Sequence, residues 1–122
     1  MKTVIARRFS FESAHFLNDR FGKCKNLHGH SYKLIVEVSG RLTDGAILDF
    51  SILKKIVWDE VISRLDHGLL NDVIPFPTAE NIAAWVFDTL SAALARYRDD
   101  LVLERVILYE TEDSYVSVSK GE

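Results

Sequence analysis

The chain has 122 residues and is short of several things. A single cysteine, Cys24, excludes an intrachain disulfide, which leaves that thiol as an apolar filler, a metal ligand or a reactive group. No long apolar run exists: the longest, Ile82 to Phe87, falls far below the roughly 20 residues that span a bilayer. Nor does Met1-Lys2-Thr3-Val4 lead into the apolar segment of a secretory signal, so a cytoplasmic protein with no membrane partner is expected. An excess of positive charge is missing too. Fifteen Lys and Arg against eighteen Asp and Glu give a formal charge of -3, which speaks against a nucleic-acid partner. Low-complexity segments and repeats of solenoid period are absent. What remains is an ordinary globular composition, 48% hydrophobic and 27% charged, expected to form one domain over residues 1–122.

Alternation of apolar and polar residues marks strands at Val4 to Phe11 and Tyr32 to Val38, and two more are expected at Val102 to Thr111 and Tyr115 to Ser119. Between the first two lies a long polar connection, Asn18 to Asn26, which carries Cys24. Leu53, Val57, Val61 and Leu65 recur every fourth position after Asp49 or Ser51, either of which can cap an amphipathic helix. A second helix is announced by Pro77-Thr78-Ala79-Glu80, with Thr78 as cap and a stripe of Ile82, Trp85, Val86, Leu90, Ala93, Leu94 and Tyr97. The order strand, strand, helix, helix, strand, strand predicts an α+β fold: a four-stranded antiparallel sheet with two helices on one face. Such a sheet has two open edges, for which pairing with further copies is one remedy and charged edges another.

Three of the four histidines, His15, His28 and His30, fall at the ends of the first two strands. In an extended segment His28 and His30 point the same way, roughly 7 Å apart. With His15 opposite they form a candidate metal site, zinc first among the transition metals that imidazole suits, and three ligands leave a position open as in a catalytic centre. A closed structural site with Cys24 as fourth ligand satisfies the same spacing, and so does a noncatalytic metal-binding domain. Asp66-His67 follows the first helix and reads either as a functional pair or as a solvated helix end. Glu110, between Tyr109 and Thr111, reads from composition as a strand carboxylate.

Taken together, Phe11-Glu12-Ser13-Ala14-His15, Cys24-Lys25-Asn26-Leu27-His28-Gly29-His30, Leu48-Asp49-Phe50, Leu65-Asp66-His67, Leu70-Asn71, Pro77-Thr78 with Glu80-Asn81, and Tyr109-Glu110-Thr111 resemble the 6-pyruvoyl-tetrahydropterin synthase family along essentially the whole chain. Three residues separate Cys24 from His28, as in the bacterial 6-carboxy-tetrahydropterin branch, where animal pyruvoyl enzymes place five. Lys25-Asn26 departs from the Gly-Arg often found there, and Gly68 stands where some relatives carry a second His. The resemblance implies the tunnelling fold and a zinc-dependent carbon-carbon lyase acting on a small pterin, 7,8-dihydroneopterin triphosphate. The products would be 6-carboxy-tetrahydropterin, acetaldehyde and triphosphate, on the way to queuosine; pyruvoyl-tetrahydropterin synthesis is the alternative within the family. It further implies zinc on His15, His28 and His30, Cys24 as base, Asp66 and His67 as proton relay, Glu110 as pterin anchor, and a homo-oligomer, a hexamer by family analogy, with sites between subunits.

Overall fold

A computed structural model describes residues 1–18, 20, 22 and 26–121. Strands β1 (Ile5–His15) and β2 (His28–Ser39) pair antiparallel, and both run further than their apolar alternation predicts, outward to the histidines themselves. Odd positions of β1 and even positions of β2 face inward, so Phe9 lies opposite Leu34, and Phe11 opposite Tyr32, in the core. Continuing the same register brings Ser13 opposite His30 and His15 opposite His28. The inward columns therefore change from apolar to imidazole at one end of the sheet while keeping the same face.

Helix α1 (Phe50–Val57) starts where Asp49 accepts the Ser51 N–H at 2.8 Å. It passes through a π-helical turn (Trp58–Ile62) into a last α turn, α2 (Ser63–Leu65). The sequence explains the π turn. Apolar residues spaced by four overrun a helix of 3.6 residues per turn by about one residue over three turns. A π turn, with its wider i to i+5 bonding, absorbs that residue and keeps Leu53, Val57, Val61, Ile62 and Leu65 all buried. Helix α3 (Ala79–Tyr97) is capped by Thr78, whose Oγ1 accepts the Asn81 N–H at 3.1 Å. Its buried stripe holds Ile82, Ala83, Val86, Leu90, Ala93 and Leu94. Trp85 is only half-buried, with the Arg64 guanidinium 4.8 Å from its ring, and Tyr97 is exposed, because the stripe ends one turn before the helix does.

Strands β4 (Val102–Tyr109) and β5 (Tyr115–Ser119) complete the antiparallel part, β4 against β2 and β5 at the edge. The expected four-stranded sheet needs one correction. A two-residue strand, β3 (Gly68–Leu69), pairs parallel with Ser13 and Ala14, so among the described residues the sheet has five strands in the order β3-β1-β2-β4-β5. Both long helices pack on one face, and their apolar residues join those of the inward columns in a single core. No helix among the described residues is long and apolar enough to cross a membrane.

Candidate metal centre and its surroundings

At the end of the sheet where the columns become imidazole, ligand atoms of His15, His28 and His30 lie within 4.8 Å of one another. Their hydrogen bonds decide which nitrogens are free. His15 Nδ1–H donates to the Pro77 carbonyl at 2.7 Å, and His28 Nδ1–H donates to the Asn26 carbonyl at 2.7 Å. In the neutral ring a proton fixed at Nδ1 leaves Nε2 a bare acceptor. Yet His15 Nε2 and His28 Nε2 sit 2.9 Å apart, two lone pairs facing each other with no proton between them in that state. His30 Nε2 is buried and lacks a hydrogen-bond partner among the described residues. Burial holds the His30 imidazole below its ordinary range, Glu110 pulls the other way, and His15 and His28 add to the depression. Three inward nitrogens, two of them oriented by backbone carbonyls, are what a divalent transition metal with imidazole affinity requires. The donor set thus fits a metal ion.

Glu110 belongs to this cluster. It lies just past the end of β4, on the parity of the buried Val106 and Leu108, and its Oε1 is 3.8 Å from His30 Nε2. It is half-buried rather than a solvent-facing strand carboxylate, and parity counted back from Leu108 was the signal for it. Behind it Tyr32 stacks on Phe11 with ring centroids 5.0 Å apart, and its fully buried hydroxyl lacks a partner among the described residues. Burial and then Glu110 push the Tyr32 phenol above its ordinary range, so it stays protonated.

Asp66 and His67 stand beside β1, beyond the last helical turn. Asp66 Oδ1 accepts the Glu12 N–H at 2.9 Å, and His67 N–H donates to the Glu12 carbonyl at 2.6 Å. His67 adopts a left-handed φ of 56°, a costly conformation for a residue other than glycine that these two bonds to β1 enforce. Its Nδ1 is 3.0 Å from Asp66 Oδ2. The Glu12 N–H, with His67 alongside, holds the Asp66 carboxyl below the usual carboxylate range. The pair is therefore no frayed helix end. His67, its side chain 79% exposed, lines an open groove with Glu12 and Ser31, outward positions of β1 and β2 on the opposite parity from the three imidazoles. Cys24 lies outside the described residues. The Pro77 carbonyl that accepts from His15 is marked neither by periodicity nor by ligand spacing.

An α+β sheet with helices on one face and a triad of histidines at one end, with a carboxylate 3.8 Å from one of them, defines a metal-ready enzyme of the tunnelling-fold class. The family described as 6-pyruvoyl tetrahydropterin synthase matches residues 4–121, and the chain belongs to it. A 6-carboxy-5,6,7,8-tetrahydropterin synthase from a Synechocystis strain is 45% identical over 98 residues, covering 74% of this chain and 76% of the relative. A dihydroneopterin monophosphate aldolase from Pyrococcus furiosus is 39% identical over 110 residues, covering 90% of this chain and 91% of that one. The solved structure of the Caenorhabditis elegans 6-pyruvoyl tetrahydropterin synthase superposes with a TM-score of 0.85 at 27% identity, covering 98% of this chain and 96% of the other. The protein is a lyase of this family.

Proposed function

We propose that the chain is a zinc-dependent 6-carboxy-tetrahydropterin synthase, converting 7,8-dihydroneopterin triphosphate and water to 6-carboxy-5,6,7,8-tetrahydropterin, acetaldehyde and triphosphate in an early step towards queuosine and related deazapurines. The observation that carries this reading is the convergence of three imidazole ligand nitrogens with Glu110 3.8 Å from one of them. The ion held by His15, His28 and His30 would supply Lewis acidity to the hydroxyls of the substrate side chain. Glu110 would accept two N–H bonds from the aminopyrimidine edge of the pterin, a planar fork that a carboxylate matches. Cys24 would take the proton from the side chain as a thiolate, which at an ordinary pKa near 8.5 needs a positive neighbour to form. His67, its Nδ1 3.0 Å from the ionised Asp66, would serve with it as a proton relay.

Two other products come from the same residues. The Pyrococcus relative favours carbon-carbon cleavage of a monophosphate substrate, and the pyruvoyl relatives favour retention of the three-carbon side chain. Incubation with dihydroneopterin triphosphate and, separately, the monophosphate, followed by mass identification of every product, tests the proposal. Acetaldehyde with the 6-carboxy pterin from the triphosphate is the expected result. A pyruvoyl product, or turnover of the monophosphate alone, would overturn it. A noncatalytic site closed by Cys24 would give no turnover and would lose its metal when that thiol is removed.

A further inference from the structure

We infer that Asn71 and Asn81 are positioning residues of the metal centre, Asn71 holding the residue that follows His15 and Asn81 the turn whose Pro77 carbonyl bonds the His15 ring; this rests on the metal-centre reading above. Neither side chain touches an imidazole. Strand β1 ends at His15, and the next residue, Phe16, would ordinarily leave both backbone groups to water. Asn71 Oδ1 instead accepts the Phe16 N–H at 3.1 Å while its Nδ2 donates to the Phe16 carbonyl at 3.1 Å. One side-chain amide thus replaces the strand partner that β1 lacks beyond its end, and pins the residue directly after the ligand.

The second grip is on the ring. His15 Nδ1–H donates to Pro77 O, and Pro77 is the centre of a tight turn closed by Thr78 N–H donating to Phe76 O at 2.8 Å. Asn81 Nδ2 donates to the same Phe76 oxygen at 2.8 Å, and the Asn81 N–H is itself capped by Thr78 Oγ1. Two donors on one carbonyl immobilise the turn, and proline's ring fixes φ between the two peptides. The Pro77 carbonyl is thereby aimed at His15, and the proton is kept on Nδ1, leaving Nε2 for the metal.

His15 is 1% exposed, whereas Asn71 is half-buried and Asn81 exposed, with neither in the apolar core. Removing either amide should therefore disturb the metal centre more than the fold. The test compares purified full-length wild type with Asn71→Ala and Asn81→Ala, reading zinc affinity by competition with a chromophoric chelator. Ring-nitrogen NMR of His15 in the metal-free protein, and its thermal melting, complete the comparison. Each variant should bind zinc roughly 10- to 100-fold more weakly, the range in which outer partners of metal-bound histidines act. The Nδ1–H signal of His15 should give way in part to Nε2–H in Asn81→Ala, with melting of the metal-free protein little changed. If Asn71→Ala fails to fold, Asn81→Ala, exposed on the first turn of α3, decides alone. Zinc affinity within about twofold of wild type in the folded variants would overturn the inference and leave the metal centre standing. A wild type that binds no zinc would overturn both.

Discussion

Glu110 and His67 illustrate how single residues acquire roles that their types do not announce. Glu110 is one more carboxylate among eighteen until the parity of β4 turns it inward beside His30. If it anchors the pterin, Glu110→Gln keeps the size but sets an N–H2 donor against the substrate's own donors. Substrate affinity should then fall by roughly 1 to 3 kcal/mol, the cost of unpaired polar groups in a partly dry site. Zinc content and melting temperature should hold, since the three ligands lie on other strands; titration calorimetry and metal analysis of one preparation read both, and unchanged affinity would remove the anchor from Glu110. Cys24→Ala should keep the metal and lose turnover roughly a hundredfold to ten-thousandfold, as removal of a general base does. Loss of zinc on that change would mark Cys24 as a ligand. At this scale the His-x-His pair was legible because a period of two fixes its direction, and His15 because it ends the facing strand. Asn71 and Asn81 stood in the sequence only as parts of the family resemblance; their bonds to Phe16 and Phe76 were not legible, because a side chain bonded to a distant peptide leaves no pattern along the chain.

At the scale of elements, the end of α3 is fastened by charge. Arg98 pairs with Asp100 at 2.5 Å and donates to the Ile47 carbonyl at 2.6 Å, while Asp100 Oδ2 accepts the Arg41 N–H at 2.7 Å. Gly40 permits this closure: a Cβ there would meet Leu101 Cδ2 at 3.0 Å and Asp100 Oδ2 at 3.1 Å. The Arg98 side chain and then the Arg41 N–H pull the Asp100 carboxyl from 3.8 down to about 2. Between those values the unfolded chain binds a proton that the folded chain does not, so stability rises with pH there and is lost as pH falls through the window. The urea midpoint should drop as pH is lowered from about 4 to about 2, and Asp100→Asn should flatten that decline; an equally steep decline in the variant would assign it to other carboxylates. Both helix starts could be read from their caps, Asp49 and Thr78, since each needs only a local side chain and the next turn. Strand β3 could not be read: two residues have no period, and Gly68 and Leu69 are a strand only because Ser13 and Ala14 lie beside them.

On the scale of the whole molecule, one sheet face is covered and the other is polar, with Arg8, Ser10, Lys33 and an Arg105–Glu37 pair at 2.8 Å. On one side β3 pairs with only Ser13 and Ala14, which leaves most of β1 as an edge, and on the other the edge is the five-residue β5, where Tyr115 is 60% exposed. Edges this open favour pairing with further copies, and we propose a homo-oligomer, a hexamer by family analogy. Sedimentation should find no active monomer at assay concentration; an active monomer would refute the assembly. The π turn, finally, makes the molecule's length negotiable at one place. Elsewhere in a helix, losing a codon turns everything downstream through about 100° and buries the wrong face. Here the spacing from Leu53 to Leu65 would shrink to about eleven residues, three regular turns, so both halves would keep their buried sides and Asp66 would keep its heading towards β1. Deleting Asp59, whose exposed side chain contributes only a surface pair with Lys55, should therefore leave a folded protein, where the same deletion in the middle of α3 would not.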